Sequence, residues 1–187
     1  MEKLPIEMLP TEPRDLAMGE FMNAWSELEA QLRSMLSALA GTQIEISIAI
    51  GAAIPDNGRM KELLLVLGDI QLRGDADRAE LAGICEHLSI ANAYRNSIVH
   101  GQWLVRNNRE ATGPGAHPYE WVRVYSIIGR SKEMAAVFGT DETSEKRWVF
   151  TIKRLTERAA SAAGLADRIR RFQKGIRARV RHPERTS

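Results

Sequence analysis

Between Tyr94 and Trp103 the chain reads Tyr-Arg-Asn-Ser-Ile-Val-His-Gly-Gln-Trp. Nowhere else do several chemically capable side chains stand close together at defined spacing. Arg95 supplies a permanent cation, and its planar fork matches two phosphate oxygens at once. His100 supplies an imidazole, which titrates near neutrality and passes protons. Asn96 supplies an amide that can orient His100 or donate to a phosphate oxygen. Such a set suits phosphodiester cleavage by an adjacent 2′-hydroxyl. That reaction needs a group to move protons and a cation to steady charge on phosphorus, and it needs no metal. The bland reading makes Arg95 a buried ion-pair partner and His100 a helix-end residue.

A helix must position these groups. Leu81, Ile84, Leu88 and Ala91 recur at the spacing of a buried helix face over about 77–94. Arg95 is next in that row. An arginine there must reach a cleft, a subunit interface or an anion. If the helix continues to His100, then Arg95, Asn96 and His100 fall within an arc of roughly 140°. Asn96 and His100 are an i, i+4 pair and face the same way. Gly101 then stops the helix, which leaves His100 in the last turn.

The run Arg95-Asn96-Ser97-Ile98-Val99-His100 resembles the signature of the HEPN superfamily: Arg, often a polar residue next, then His after four to six intervening residues. Gly101 and Trp103 also look like many prokaryotic members, and the similarity spans about Met18 to Trp103. The resemblance implies a helical bundle, often homodimeric, with the Arg-His motifs facing each other across one cleft. It implies a metal-independent endoribonuclease, in defence or stress response, with Arg95, Asn96 and His100 catalytic. RNA and a cognate antitoxin or other protein are the expected partners. The alternative is a non-catalytic helical module binding protein, RNA or nucleotide.

At 187 residues, 44% hydrophobic and 27% charged, the chain suits one globular domain. Its single cysteine, Cys85, excludes an intrachain disulfide and fits a reducing cytoplasmic setting. No apolar run suggests a membrane span, and the start lacks a signal-peptide pattern. Net charge is +2, yet residues 168–187 hold eight Lys/Arg against one acid, leaving −5 for 1–167. Arg170, Lys174, Arg177 and Arg181 form one basic stripe there, a candidate RNA-binding face or a solvated helix side. Cys85 and His87 lack the second pair a metal site needs, and His117 and His182 are isolated. No metal or cofactor is expected.

The fold expected is mainly α, a HEPN-like bundle of about five helices with a small antiparallel β-hairpin or three-stranded sheet. Residues 1–14, with Pro5, Pro10 and Pro13, read as an extended arm, and Asp15 as an N-cap. Residues 15–181 form a single domain with a β insertion at about 102–153, and 182–187 a tail. Phe21, Trp25, Leu28, Leu32, Met35 and Leu39, widened by Met18, Met22 and Leu36, make the first helix stripe. That stripe is a core face, or part of a dimer interface. Gly41 ends this helix, and Thr42 with Glu45 reads as a capping box. The alternation of Ile44, Ile46, Ile48 and Ile50 makes a strand the competitor to a second helix. Pro55-Asp56-Asn57-Gly58 is a turn, and Met60, Leu63, Leu64 and Leu67 place a third helix. Strands are expected at 102–106, 121–128 and 147–152, around a Gly113-Pro114-Gly115 loop. The segment 132–143 reads as ambiguous. A last helix runs over 155–180.

Overall fold

The computed structural model describes residues 9–54, 57–108, 119–125 and 149–181. Among these the elements are α1 (Glu12–Ala40), α2 (Ile44–Ala53), α3 (Asn57–Gln71), α4 (Asp75–Val99), β1 (Gly101–Asn107), β2 (Tyr119–Tyr125), β3 (Val149–Thr151) and α5 (Ile152–Arg181). The chain is mainly helical with a small three-stranded antiparallel sheet. The Gly113-Pro114-Gly115 loop, the segment 132–143 and the tail 182–187 lie outside the described residues.

Contacts divide the chain into two units. One comprises residues 1–22 and 93–159, the other 23–92 and 160–187. In the second unit the apolar period expresses itself directly. Trp25, Leu28, Leu32, Met35, Leu36 and Leu39 of α1 are buried against Leu64, Leu81, Ile84, Leu88, Ile169 and Phe172. Each large side chain removed from water contributes about 1.5–3 kcal/mol. These α1 side chains are therefore core, while Met18 and Met22 of the wider stripe are only partly buried.

Helix ends depart from expectation in instructive ways. α1 begins at Glu12, ahead of the expected Asp15 cap, because proline is compatible with a first helical turn and Pro13 sits there. Gly41 adopts φ 63°, and Thr42 N–H closes on Ser37 O at 3.2 Å, the left-handed stop that glycine tolerates. The capping box does not form. Gln43 is the N-cap of α2 without a side-chain bond, while the Thr42 hydroxyl lies 3.0 Å from that of Ser47. α2 is nevertheless a helix, so the isoleucine alternation does not mark a strand. Asn57 and Gly58 belong to α3 rather than to the turn, and Pro55 and Asp56 lie outside the described residues. β3 stops at Thr151, whose Oγ1 accepts Arg154 N–H at 3.2 Å and opens α5 three residues before the expected Leu155.

In the first unit β2 is central, in the order β1-β2-β3. Val122 opposes Leu104 and Thr151, and Val124 opposes Gln102 and Val149. One face accordingly collects Val122, Val124, Val149 and Leu104 as a small apolar cluster. The other carries Trp103, Trp121, Arg123 and Phe150. This second face is where the sheet meets the end of α4.

Candidate functional site

The end of α4 carries the expected triad, and each of its residues belongs to the first unit. Arg95 is half-buried, with Nε shut off from solvent, while Asn96 and His100 are exposed. Arg95 Nη1 donates to Asn96 Oδ1 at 3.2 Å. Asn96 thus orients the arginine, by its side chain, rather than the histidine. Its backbone carbonyl accepts His100 N–H at 3.1 Å, so the helical hydrogen-bond ladder reaches His100, one residue past the end of α4. Asn96 and His100 are consequently one turn apart on one side of the chain. Between them, Ser97 is buried and its hydroxyl bonds back to Ala93 O at 3.0 Å. Ile98 is fully buried and anchors the turn from within.

A residue the sequence did not single out fixes this turn. Arg123 reaches from β2 to the last carbonyls of α4: Nη2 donates to Val99 O at 3.0 Å, and Nε donates to Ile98 O. A cation at a helix C-terminus satisfies orphan carbonyls and complements the dipole. Burial, helped by the nearby charge of Arg14, lowers the Arg123 pKa from the ordinary arginine value. Trp103 lies under two guanidinium groups, Arg123 at 5.4 Å and Arg14 at 5.8 Å from its ring centre. Trp121 meets Trp103 edge-on at 6.5 Å and bonds Pro10 O through Nε1 at 3.2 Å. Trp103 is thereby a packing residue.

Gly101 begins β1 and has an ordinary backbone, so it does not stop α4 by adopting a left-handed conformation. Its role is clearance. A Cβ there would stand 2.9 Å from Val124 O, Ser97 O and Arg123 Cγ. On the other side of the motif, Arg158 lies 3.6 Å over the Tyr94 ring, and Phe150 meets that ring edge-on at 6.0 Å. Arg123 and Arg158 were hidden in the sequence because an arginine between valines on a strand, or on a charged helix side, gives no local sign of what it touches.

The basic stripe lies in the second unit, and its members differ in how far they are engaged there. Arg170 pairs with Asp167 at 2.5 Å and Glu27 at 2.6 Å. Arg177 Nη2 donates weakly to Ser34 Oγ at 3.4 Å, and Lys174 is exposed. The side chain of Arg181 is outside the described residues. A denser constellation in this unit joins Arg168 to Glu80 through two bonds of 2.7 and 2.8 Å, and to His87 Nδ1 at 2.7 Å. The hydrogen bond from Arg168 holds the Glu80 pKa below its ordinary value.

A groove of about 400 Å³ in the first unit is lined by Leu9, Pro10, Pro13, Tyr119, Trp121, Lys153 and neighbouring residues, and includes neither Arg95 nor His100. Among the described residues no cluster of His, Cys, Asp and Glu forms a metal site. No single helix among them is long and apolar enough to cross a membrane. Burial raises the Cys85 thiol to about 11, which leaves it unreactive.

Comparison with known protein families, characterised proteins and solved structures gives no match.

Proposed function

We propose that this chain is a metal-independent endoribonuclease of HEPN type, with Arg95 and His100 as the groups that meet the scissile phosphate. The observation that supports the reading best is the double engagement of Asn96. Its side chain accepts from Arg95 and its backbone carbonyl accepts from His100 N–H, so a phosphate-binding fork and a proton carrier stand five residues apart at the end of one helix. In the reaction the 2′-oxygen bonds to phosphorus and the bond to the 5′-oxygen breaks. The proton of the 2′-hydroxyl ends on the departing 5′-oxygen, with His100 moving it. Arg95 stabilises the negative charge on the non-bridging oxygens. The resemblance of the motif makes a homodimer the expected form, a defence or stress response the expected setting, and an antitoxin an expected partner.

The test is cleavage of single-stranded RNA, and of structured RNAs including tRNA, in the presence of EDTA. The expected products carry 2′,3′-cyclic phosphate ends. His100→Ala should lower the rate on the order of 10²–10⁴-fold, the range for a lost general acid or base. Its urea midpoint should stay at the wild-type value, since His100 is exposed. Full activity in His100→Ala would refute the assignment. A wild type inert on every RNA offered would favour the non-catalytic binding module instead. For the basic stripe, replacing Lys174 with Gln is the informative change, because Arg170 already serves two carboxylates. A weaker, less salt-dependent RNA affinity is expected if the stripe binds backbone phosphate.

A further inference from the structure

Pro10, Pro13 and Tyr119 give the groove of the first unit ring surfaces for walls, and Lys153 gives it a cation. The prolines belong to a segment that Trp121 ties to the sheet, since its Nε1 donates to Pro10 O at 3.2 Å. Leu9, just before them, is buried. The walls are thus in place before any ligand arrives. At about 400 Å³ the groove falls within the roughly 300–1,000 Å³ usual for small-molecule sites. Its charge is one-sided. Glu120 is the one carboxylate among the lining residues, and Arg106 Nε already donates to it at 2.9 Å. Lys153 is exposed, and its ammonium meets no carboxylate among the described residues. It stands in the first turn of α5, where the helix dipole also favours an anion.

We propose that this groove takes one nucleotide of a single-stranded RNA, its base against Tyr119 and the prolines and its phosphate at Lys153. A ring surface beside a cation is the pairing that single strands use, because every base has a π-face and every link a negative charge. An uncharged apolar peptide would leave Lys153 without a partner. The choice of RNA rests on the nuclease reading, and the sheet supports it. Tyr119, Trp121 and Arg123 alternate along β2 and so share one face. On that face Arg123 holds the end of α4, next to His100. Tyr119 precedes Arg123 by four residues, about 13 Å along the strand. A short single strand with its scissile phosphate at His100 therefore reaches the groove, which would hold a base away from the bond that is cut.

The probe is a fluorescein-labelled octanucleotide of 2′-O-methyl RNA, which has no free 2′-hydroxyl and is not cut. Fluorescence anisotropy with the full chain should show binding that weakens with salt. Tyr119→Leu keeps apolar bulk but removes the π-face, and should weaken binding on the order of 10-fold, while Tyr119→Phe should keep it. Lys153→Gln should weaken binding severalfold and flatten the salt slope by about one, and Lys153→Arg should keep both. Lys153 is exposed, so its variants decide the matter should Tyr119→Leu unfold. The same octamer carrying 5-iodouracil should photo-cross-link to the peptide that contains Tyr119. Since the probe is not cut, groove and nuclease fail separately. Weakened binding in the Tyr119→Leu and Lys153→Gln variants sustains the groove even if no RNA is cleaved. A wild type that does not bind the octamer overturns it. So does equal binding by wild type and both Lys153→Gln and folded Tyr119→Leu, even if RNA is cleaved. Binding of 5′-AMP but not of the octamer overturns it in favour of a free nucleotide.

Discussion

Replacing Arg123 with Met removes the clamp on the end of α4 while keeping an apolar stem over Trp103. Two hydrogen bonds from a charged donor are lost, one to Val99 O and one to Ile98 O. Bonds of this kind contribute about 1.5–3 kcal/mol each, and the cation at the helix end adds about 0.3–1 kcal/mol. Opposing these are the desolvation of the guanidinium and its repulsion by Arg14, both of which Met relieves. The net loss expected is about 2–4 kcal/mol. At a urea slope of about 2 kcal/mol per molar, the midpoint should fall by about 1–2 M. Arg123→Lys should recover part of this, because an ammonium keeps the charge but cannot fork to two carbonyls. Amide hydrogen exchange should show loss of protection first at His100, whose N–H bonds Asn96 O in this turn. RNA cleavage should fall with it if His100 is the proton carrier. An unchanged midpoint together with unchanged protection at His100 would refute the clamp.

Gly101→Ala should be severely destabilising, because two of the three atoms a Cβ would meet are backbone oxygens that cannot swing aside. A midpoint within error of wild type would show that the α4–β1 junction yields. Glu80→Gln should matter only where Glu80 is ionised. The folded pKa lies below the unfolded one, so the stabilisation is present above the unfolded glutamate range and is lost as pH falls through the folded value. The midpoint gap between wild type and Glu80→Gln should therefore be full at neutral pH and close in acid. A gap that widens in acid would reverse the assignment of Arg168 as its partner.

What the sequence determined by itself is the helical body and the place of the motif. Trp25, Leu28, Leu32, Met35 and Leu39 repeat at helical spacing, and burial of such a stripe is a local pattern with one outcome. Gly41 is similarly local, since its left-handed backbone is a property of glycine at the end of a run. Strands at 101–107 and 119–125 were readable because aromatic and β-branched residues crowd there. The tertiary structure decided who meets whom. Arg123 caps carbonyls about 25 residues earlier in the chain, and Arg170 finds Glu27 143 residues away. Neither choice is encoded by neighbours along the chain. It also decided which role a capable side chain takes. Thr42 bonded Ser47 instead of capping α2, and Asn96 held Arg95 instead of His100. Propensity sets which backbone conformations are cheap, but a polar side chain bonds whichever group burial brings within about 3 Å. For the same reason α2 could be read as a helix, but not as one that turns Ser47 inward. Periodicity shows that isoleucines and a serine share a helix, and only the surrounding elements determine that the serine turns inward.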